Sequence, residues 1–96
     1  MVDVDVVVVG AGLAGLTAAD ALHAGGRTVT VIEARAAVGG RIKTLTDGDL
    51  CLDLGATWHW SNQPAIASLA ADLGLEAFPQ FRTGQVVVED AAGAPP

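Results

Sequence analysis

Three glycines and one acid are the residues of this 96-residue chain whose types and spacing most clearly suggest chemistry. Gly10-Ala11-Gly12-Leu13-Ala14-Gly15 fits the pattern G-x-G-x-x-G, and Glu33 stands about twenty residues downstream. In that pattern the first glycine permits a tight turn. The second leaves room for a diphosphate to approach the backbone, and the third lets a helix pack close to a strand. The N–H groups of Leu13, Ala14 and Gly15 then lie at a helix N-terminus, where they and the positive dipole end face an anion. A carboxylate at Glu33 can accept both hydroxyls of an adenosine ribose, while it repels a 2′-phosphate. The plainer alternative is a glycine-rich turn followed by a solvated acid at a strand end. Taken together, the glycines, the acid and the elements around them point to a dinucleotide. NADP is disfavoured, and NAD and FAD remain.

A second cluster, Gly39-Gly40-Arg41, can turn further backbone amides and a fixed positive charge toward an anion. An NAD site rarely needs this second clamp, so the cluster favours FAD. Farther along, Gly55 and Ala56 are small enough for a planar ring to lie near the backbone, with Thr57 and Trp58 beside them. His59 reads as a surface residue, Asp53 as a support for nearby backbone, and Cys51 as structural. No His/Cys spacing suggests a metal site, and no Ser/His/Asp set is legible.

The elements that must position these residues follow from periodicity. Val4–Val9 reads as a strand with apolar side chains on both faces, as in a buried parallel sheet. A helix is expected from Leu13 to about Ala24, with Leu13, Leu16 and Leu22 at helical spacing and Gly25-Gly26 ending it. Thr28–Glu33 is a second β-branched strand, completing a βαβ unit. Asp47-Gly48 marks the turn of a β-hairpin. "SNQPAIASLAADLG" is a helix with Pro64 in its first turn, one face made by Ile66, Leu69, Ala70 and Leu73, and Gly74 as its stop. Pro79 keeps "LEAFPQF" from forming a regular central strand. The fold class is therefore α/β, a Rossmann-like βαβ domain with an added hairpin and helix.

Composition narrows the function. Half of the chain is apolar (51%) and the formal charge is −6, so a globular domain is expected, and no basic cluster could neutralise nucleic-acid or membrane phosphates. The single Cys51 cannot form an internal disulfide and fits a reducing compartment. The start Met1-Val2-Asp3 lacks the positive charge of a signal peptide, and Val6–Val9 is too short to span a membrane. A cytoplasmic protein is the expectation. Val86–Val88 reads as a strand-like run with few partners left to pair with, which points to the N-terminal piece of a longer protein.

"GAGLAGLTAA", "VIEARAAVGGRI" and "DLGATW", in this order, resemble the flavin-containing amine oxidase family, relatives of monoamine and polyamine oxidases. The resemblance runs from about Val4 to about Leu75 and implies a glutathione-reductase-like FAD-binding domain. On that basis Glu33 binds the adenosine ribose, while Ala34, Arg35, Gly40 and Arg41 line the adenosine–diphosphate channel. Gly55, Ala56, Thr57 and Trp58 approach the flavin ring. Residues 1–77 would be the N-terminal part of the FAD-binding domain, and 78–96 would begin a truncated substrate domain. The implied reaction of the complete protein takes a hydride from the carbon beside an amine nitrogen to flavin N5. The imine then hydrolyses, and O2 reoxidises the flavin to give H2O2. Phytoene desaturases and protoporphyrinogen oxidases share the first two blocks, and Ala56 and Trp58 lean toward amine oxidases. The family's chains are several times longer, and its flavin-adjacent lysine and substrate cage lie in parts absent here. No residue of this chain is therefore assigned as catalytic, and an inert FAD-binding fragment is a further alternative.

Overall fold

The computed structural model of the chain describes residues 3–87. It divides into two compact units, Met1–Trp60 and Ser61–Pro96. In the first, β1 (Val6–Val9), α1 (Leu13–Ala24) and β2 (Val29–Ile32) form the βαβ unit, and β3 (Thr44–Asp47) and β4 (Leu50–Asp53) form a hairpin. The second unit holds α2 (Pro64–Asp72).

β1 and β2 pair in parallel, from Val6 opposite Val29 to Val9 opposite Ile32. Both strands are shorter than the β-branched runs suggest, because the chain is tied off at their start. The Asp5 N–H is shared between the Thr28 hydroxyl (2.9 Å) and the Thr28 carbonyl (3.0 Å). In return, Thr28 donates its N–H and its hydroxyl to Asp5 Oδ2, each at 2.8 Å. These bonds hold the Asp5 carboxyl below the usual carboxylate range, the Thr28 N–H contributing most and its hydroxyl next.

α1 lies against both strands. Its partly covered positions are Gly15, Ala19 and Leu22, spaced four and three residues apart. Leu13 and Leu16, expected on the packing face from their spacing, are exposed. The backbone explains the change. A Cβ on Gly15 would run into the Gly10 carbonyl and lie 3.4 Å from Val8 Cγ1, so the small-residue side of the helix sits on the sheet. The sheet is covered mainly on that side. Val6 and Val8 are half-buried, whereas Val7 is 50% and Val9 83% exposed. The both-face burial expected of the valine run is not reached. Ala11, 2% exposed, is the one buried residue among those described.

The hairpin pairs Thr44 with Asp53 and Asp47 with Leu50, so its two-residue loop is Gly48-Asp49. The turn lies one residue later than the Asp47-Gly48 signal suggests. Gly48 takes φ +58° as the first loop residue, the place where type II′ hairpin turns favour glycine. α2 starts at Pro64 and stops before Gly74, as expected, with Ile66, Leu69 and Ala70 half-buried. Leu73 caps the helix and is exposed rather than part of that face. Val86 and Val87 belong to no strand, and Val88 lies outside the described residues.

A two-stranded sheet with one bare apolar face is marginal in water. The 96-residue chain expressed by itself is therefore expected to unfold broadly in near-UV circular dichroism, and a sharp cooperative melt would contradict this. Because the folded Asp5 pKa is depressed, its contribution is complete above the ordinary carboxylate range and is lost as pH falls through the folded value. Asp5→Asn in the natural polypeptide should lower the urea midpoint at pH 7, and the gap to wild type should close on acidification.

Candidate functional site

At the C-terminal end of β1, the Gly10 N–H donates to the Ile32 carbonyl (2.7 Å), continuing the sheet one residue past the strand. Gly10 then turns the chain with φ +99°, a conformation that costs other residues dearly. Gly12 is the N-cap of α1, and its carbonyl accepts the first helical bond, from the Leu16 N–H at 2.9 Å. The N–H groups of Leu13, Ala14 and Gly15 have no acceptor among the described residues, as expected of an uncapped first turn. A Cβ on Gly10 or Gly12 would meet nothing within 4 Å, so the space beside these two glycines is open. Unpaired amides at the positive end of a 12-residue helix, beside open space, suit a diphosphate.

Glu33 follows β2 directly and is half-buried. Its Oε2 accepts the Ala11 N–H at 2.8 Å and its Oε1 the Arg35 N–H at 2.9 Å. Those two bonds, Arg35 first and Ala11 second, hold the carboxyl below its ordinary value, and the nearby Arg35 charge adds to them. The acid is thus ionised and already engaged with backbone from both sides.

The second glycine pair packs onto the first. Gly39 and Gly40 have φ +103° and +63°. The Gly39 N–H donates to the Ala11 carbonyl at 2.7 Å, and Gly12 and Gly39 form a parallel bridge. A Cβ on Gly40 would stand 3.3 Å from Gly12 Cα. The expectation that this pair turns its amides to an anion therefore needs correcting for Gly39, whose N–H is used on Ala11. Beside this contact, Arg35, Gly40, Ile42, Lys43 and Thr44 line an open cavity of about 370 Å³, which places two cations together in an acidic chain.

The "DLGATW" segment is held differently from expectation. A Cβ on Gly55 would collide with the Arg41 carbonyl, so glycine is needed there for a close backbone approach within the chain. Leu54 N–H donates to the Lys43 carbonyl (2.8 Å), extending the hairpin pairing to the edge of this segment. Ala56 takes φ +53°, a left-handed conformation that costs a non-glycine residue about 1–2 kcal/mol. Ala56, Thr57, Trp58 (64%) and His59 are all exposed. Ala34 and Arg41 are exposed too, flanking Glu33 and Gly40. Asp53 accepts the Thr44 hydroxyl at 2.9 Å across the hairpin, a side-chain rather than a backbone partner. Cys51 is a free, exposed thiol, and the described residues hold no group of three or more potential metal ligands. Motif patterns pass over Ala11, whose signal is its place between two glycines, and over Gly39 as a partner within the chain.

A parallel βαβ unit with open amides at its glycine turn and an acid at the end of its second strand defines a dinucleotide-binding fold. The family model described as "flavin containing amine oxidoreductase" matches residues 13–92, and the chain belongs to that family. The family is named for a flavin cofactor. The chain is 48% identical over 83 residues to putrescine oxidase of Kocuria rosea, covering 86% of this chain and 17% of that protein. It is 47% identical over 75 residues to human flavin-containing amine oxidase B, covering 77% of this chain and 14% of that one. A solved putrescine oxidase, wild type bound to putrescine, superposes with a TM-score of 0.85 at 43% identity, covering 99% of this chain and 21% of that chain. The chain thus spans between 14% and 21% of the length of these relatives.

Gly15→Ala in the natural polypeptide should drive a methyl into the Gly10 carbonyl. A loss of about 1–3 kcal/mol in urea unfolding is expected, together with lower retained flavin on purification. An unchanged midpoint would show that α1 can slide without cost.

Proposed function

We propose that this chain forms the FAD-holding part of an amine oxidase. What carries the reading is the glycine turn at the start of α1, with three acceptor-free amides beside open space and the ionised Glu33 directly behind it. Leu13, Ala14 and Gly15 hold the diphosphate by their N–H groups, while Gly10 and Gly12 let it approach. Glu33 takes the adenosine ribose, since its two oxygens have lone pairs beyond those used by Ala11 and Arg35. Ala34, Arg35, Gly40 and Arg41 border the adenosine–diphosphate path, and the cavity lined by Arg35 and Gly40 supports the assignment of those two. Gly55, Ala56, Thr57 and Trp58 approach the flavin ring. When bound, FAD supplies the oxidation of a small-molecule amine to an imine, with O2 as the final electron acceptor and H2O2 as product. The residues of this chain bind and orient the cofactor and make no bond to the amine.

The domain organisation that fits this reading places the N-terminal part of the FAD-binding domain in residues 1–77 and the start of the substrate domain in 78–96. A reducing compartment, the cytoplasm, suits the exposed Cys51 thiol. Among the described residues no helix is long and apolar enough to cross a membrane.

The purified natural polypeptide is expected to show flavin absorption at about 375 and 450 nm and to release H2O2 when given an amine. A colourless preparation that takes up NAD and not FAD would overturn the cofactor assignment. Bound flavin without amine-dependent peroxide would point instead to another class of FAD oxidoreductase.

A further inference from the structure

Glu33 has two backbone bonds that a purely ribose-binding acid does not need: one reaches across the site to Ala11, and the other is local, to Arg35 two residues on. We propose that the Glu33 carboxylate is also a positioning group, which locks the glycine turn through Ala11 before any cofactor arrives. The proposal rests on the FAD reading for its biological purpose, while its geometry stands within this chain.

Ala11 is pinned on every polar side. Glu33 Oε2 takes its N–H (2.8 Å), and the Gly39 N–H bonds its carbonyl (2.7 Å). The residue before it, Gly10, is held by the Ile32 carbonyl (2.7 Å). Its side chain is the one buried apolar group among the described residues. Meanwhile Glu33 Oε1 fixes the start of the loop to the second glycine pair through the Arg35 N–H (2.9 Å). One carboxylate therefore bonds Ala11, 22 residues away, and Arg35, two residues on, while the Ala11 carbonyl carries the link onward to Gly39.

The physical need is clear from the composition of the turn. Glycine loses more backbone freedom on ordering than any other residue, and every residue fixed costs conformational entropy. Amides that converge on a diphosphate only after binding would take that cost out of the cofactor's affinity. Amides already fixed by the carboxylate and by Gly39 leave the cofactor only its own ordering to offset. An ionised acceptor suits this role, because bonds from N–H to a carboxylate are roughly twice as strong as neutral ones. Arg35 is the cation that acts on the carboxylate and favours that charged form.

A ligand-based comparison separates this role from direct ribose contact. The natural polypeptide, stripped of flavin, is titrated calorimetrically with ADP and with 2′,3′-dideoxy-ADP, in wild-type and Glu33→Gln forms. The dideoxy compound has no ribose hydroxyls for Glu33 to touch. The expected result is that Glu33→Gln weakens dideoxy-ADP as well as ADP, by roughly tenfold for one lost charged bond. Equal dideoxy-ADP affinity in the two forms would overturn the proposal and leave Glu33 as a ribose contact alone. A measurement without any variant guards against a Glu33→Gln protein that fails to fold. In flavin-free wild type, hydrogen exchange at the Gly10 and Ala11 amides, the two held by Ile32 and Glu33, should already be slow, and ADP should change it little. Fast exchange there until ADP is added would refute the lock. Failure of wild type to bind either ADP or FAD would count against the cofactor reading, and the exchange result would still decide on the lock.

Discussion

The rest of the site depends on how Ala11 is held. Its N–H goes to Glu33 and its carbonyl accepts from Gly39, so one residue joins the end of β1, the end of β2 and the loop beyond. Each of the two bonds is short, and one has a charged acceptor whose pKa is depressed by the contact. Without a large side chain anywhere in the turn, packing could not define it. Hydrogen bonding does so instead, around the single well-buried residue among those described. The glycines have complementary parts in this arrangement. Gly10 supplies the reversal, Gly15 the close approach of α1, and Gly40 the space against Gly12 Cα.

The same constraint explains why α1 shows its leucines to solvent. The backbone contact between Gly15 and Gly10 sets the rotation of the helix about its axis, and the side bearing Gly15, Ala19 and Leu22 then faces the sheet. Leu13 and Leu16 fall elsewhere on the circumference. With Val7 and Val9 exposed on the far side of β1, the βαβ unit buries one of its two apolar surfaces. Hydrophobic burial is the dominant favourable term in folding, so a half-covered sheet lacks most of the stabilisation that its sequence is capable of. The hairpin and α2 add local order without adding fully buried side chains among the described residues.

The chain belongs to the flavin-containing amine oxidoreductase family, and the cofactor-holding part proposed for this region draws on its local geometry. The resources visible here are amide dipoles, one ionised acid and a few cations near the second glycine pair, all suited to a diphosphate and a ribose. Ala56, in its left-handed conformation, holds backbone strain in the segment expected to approach the flavin ring.

Much of this is legible in the residues alone. The bounds of α1 match the periodicity of Leu13–Ala24, Pro64 and Gly74 bracket α2, and G-x-G-x-x-G places the turn between β1 and α1. Those features are local: they depend on glycine and proline backbone preferences and on repeats within a few residues. The β-hairpin is legible too, but its turn is displaced by one residue because cross-strand pairing, not the Asp-Gly dipeptide, sets the register. The remaining facts belong to the tertiary structure. By its size Gly55 offers room for a ring, yet the Arg41 carbonyl is what requires it, and Gly39, by type an anion ligand, bonds Ala11. Glu33 suits a ribose by its position, and it also reaches inward to two amides. Sequence determined which residues could bend, cap or carry charge, because those are properties of single residues and their neighbours. Which partner each one met was decided only when segments more than ten residues apart came together, since a hydrogen bond or a close backbone approach exists only between two placed atoms.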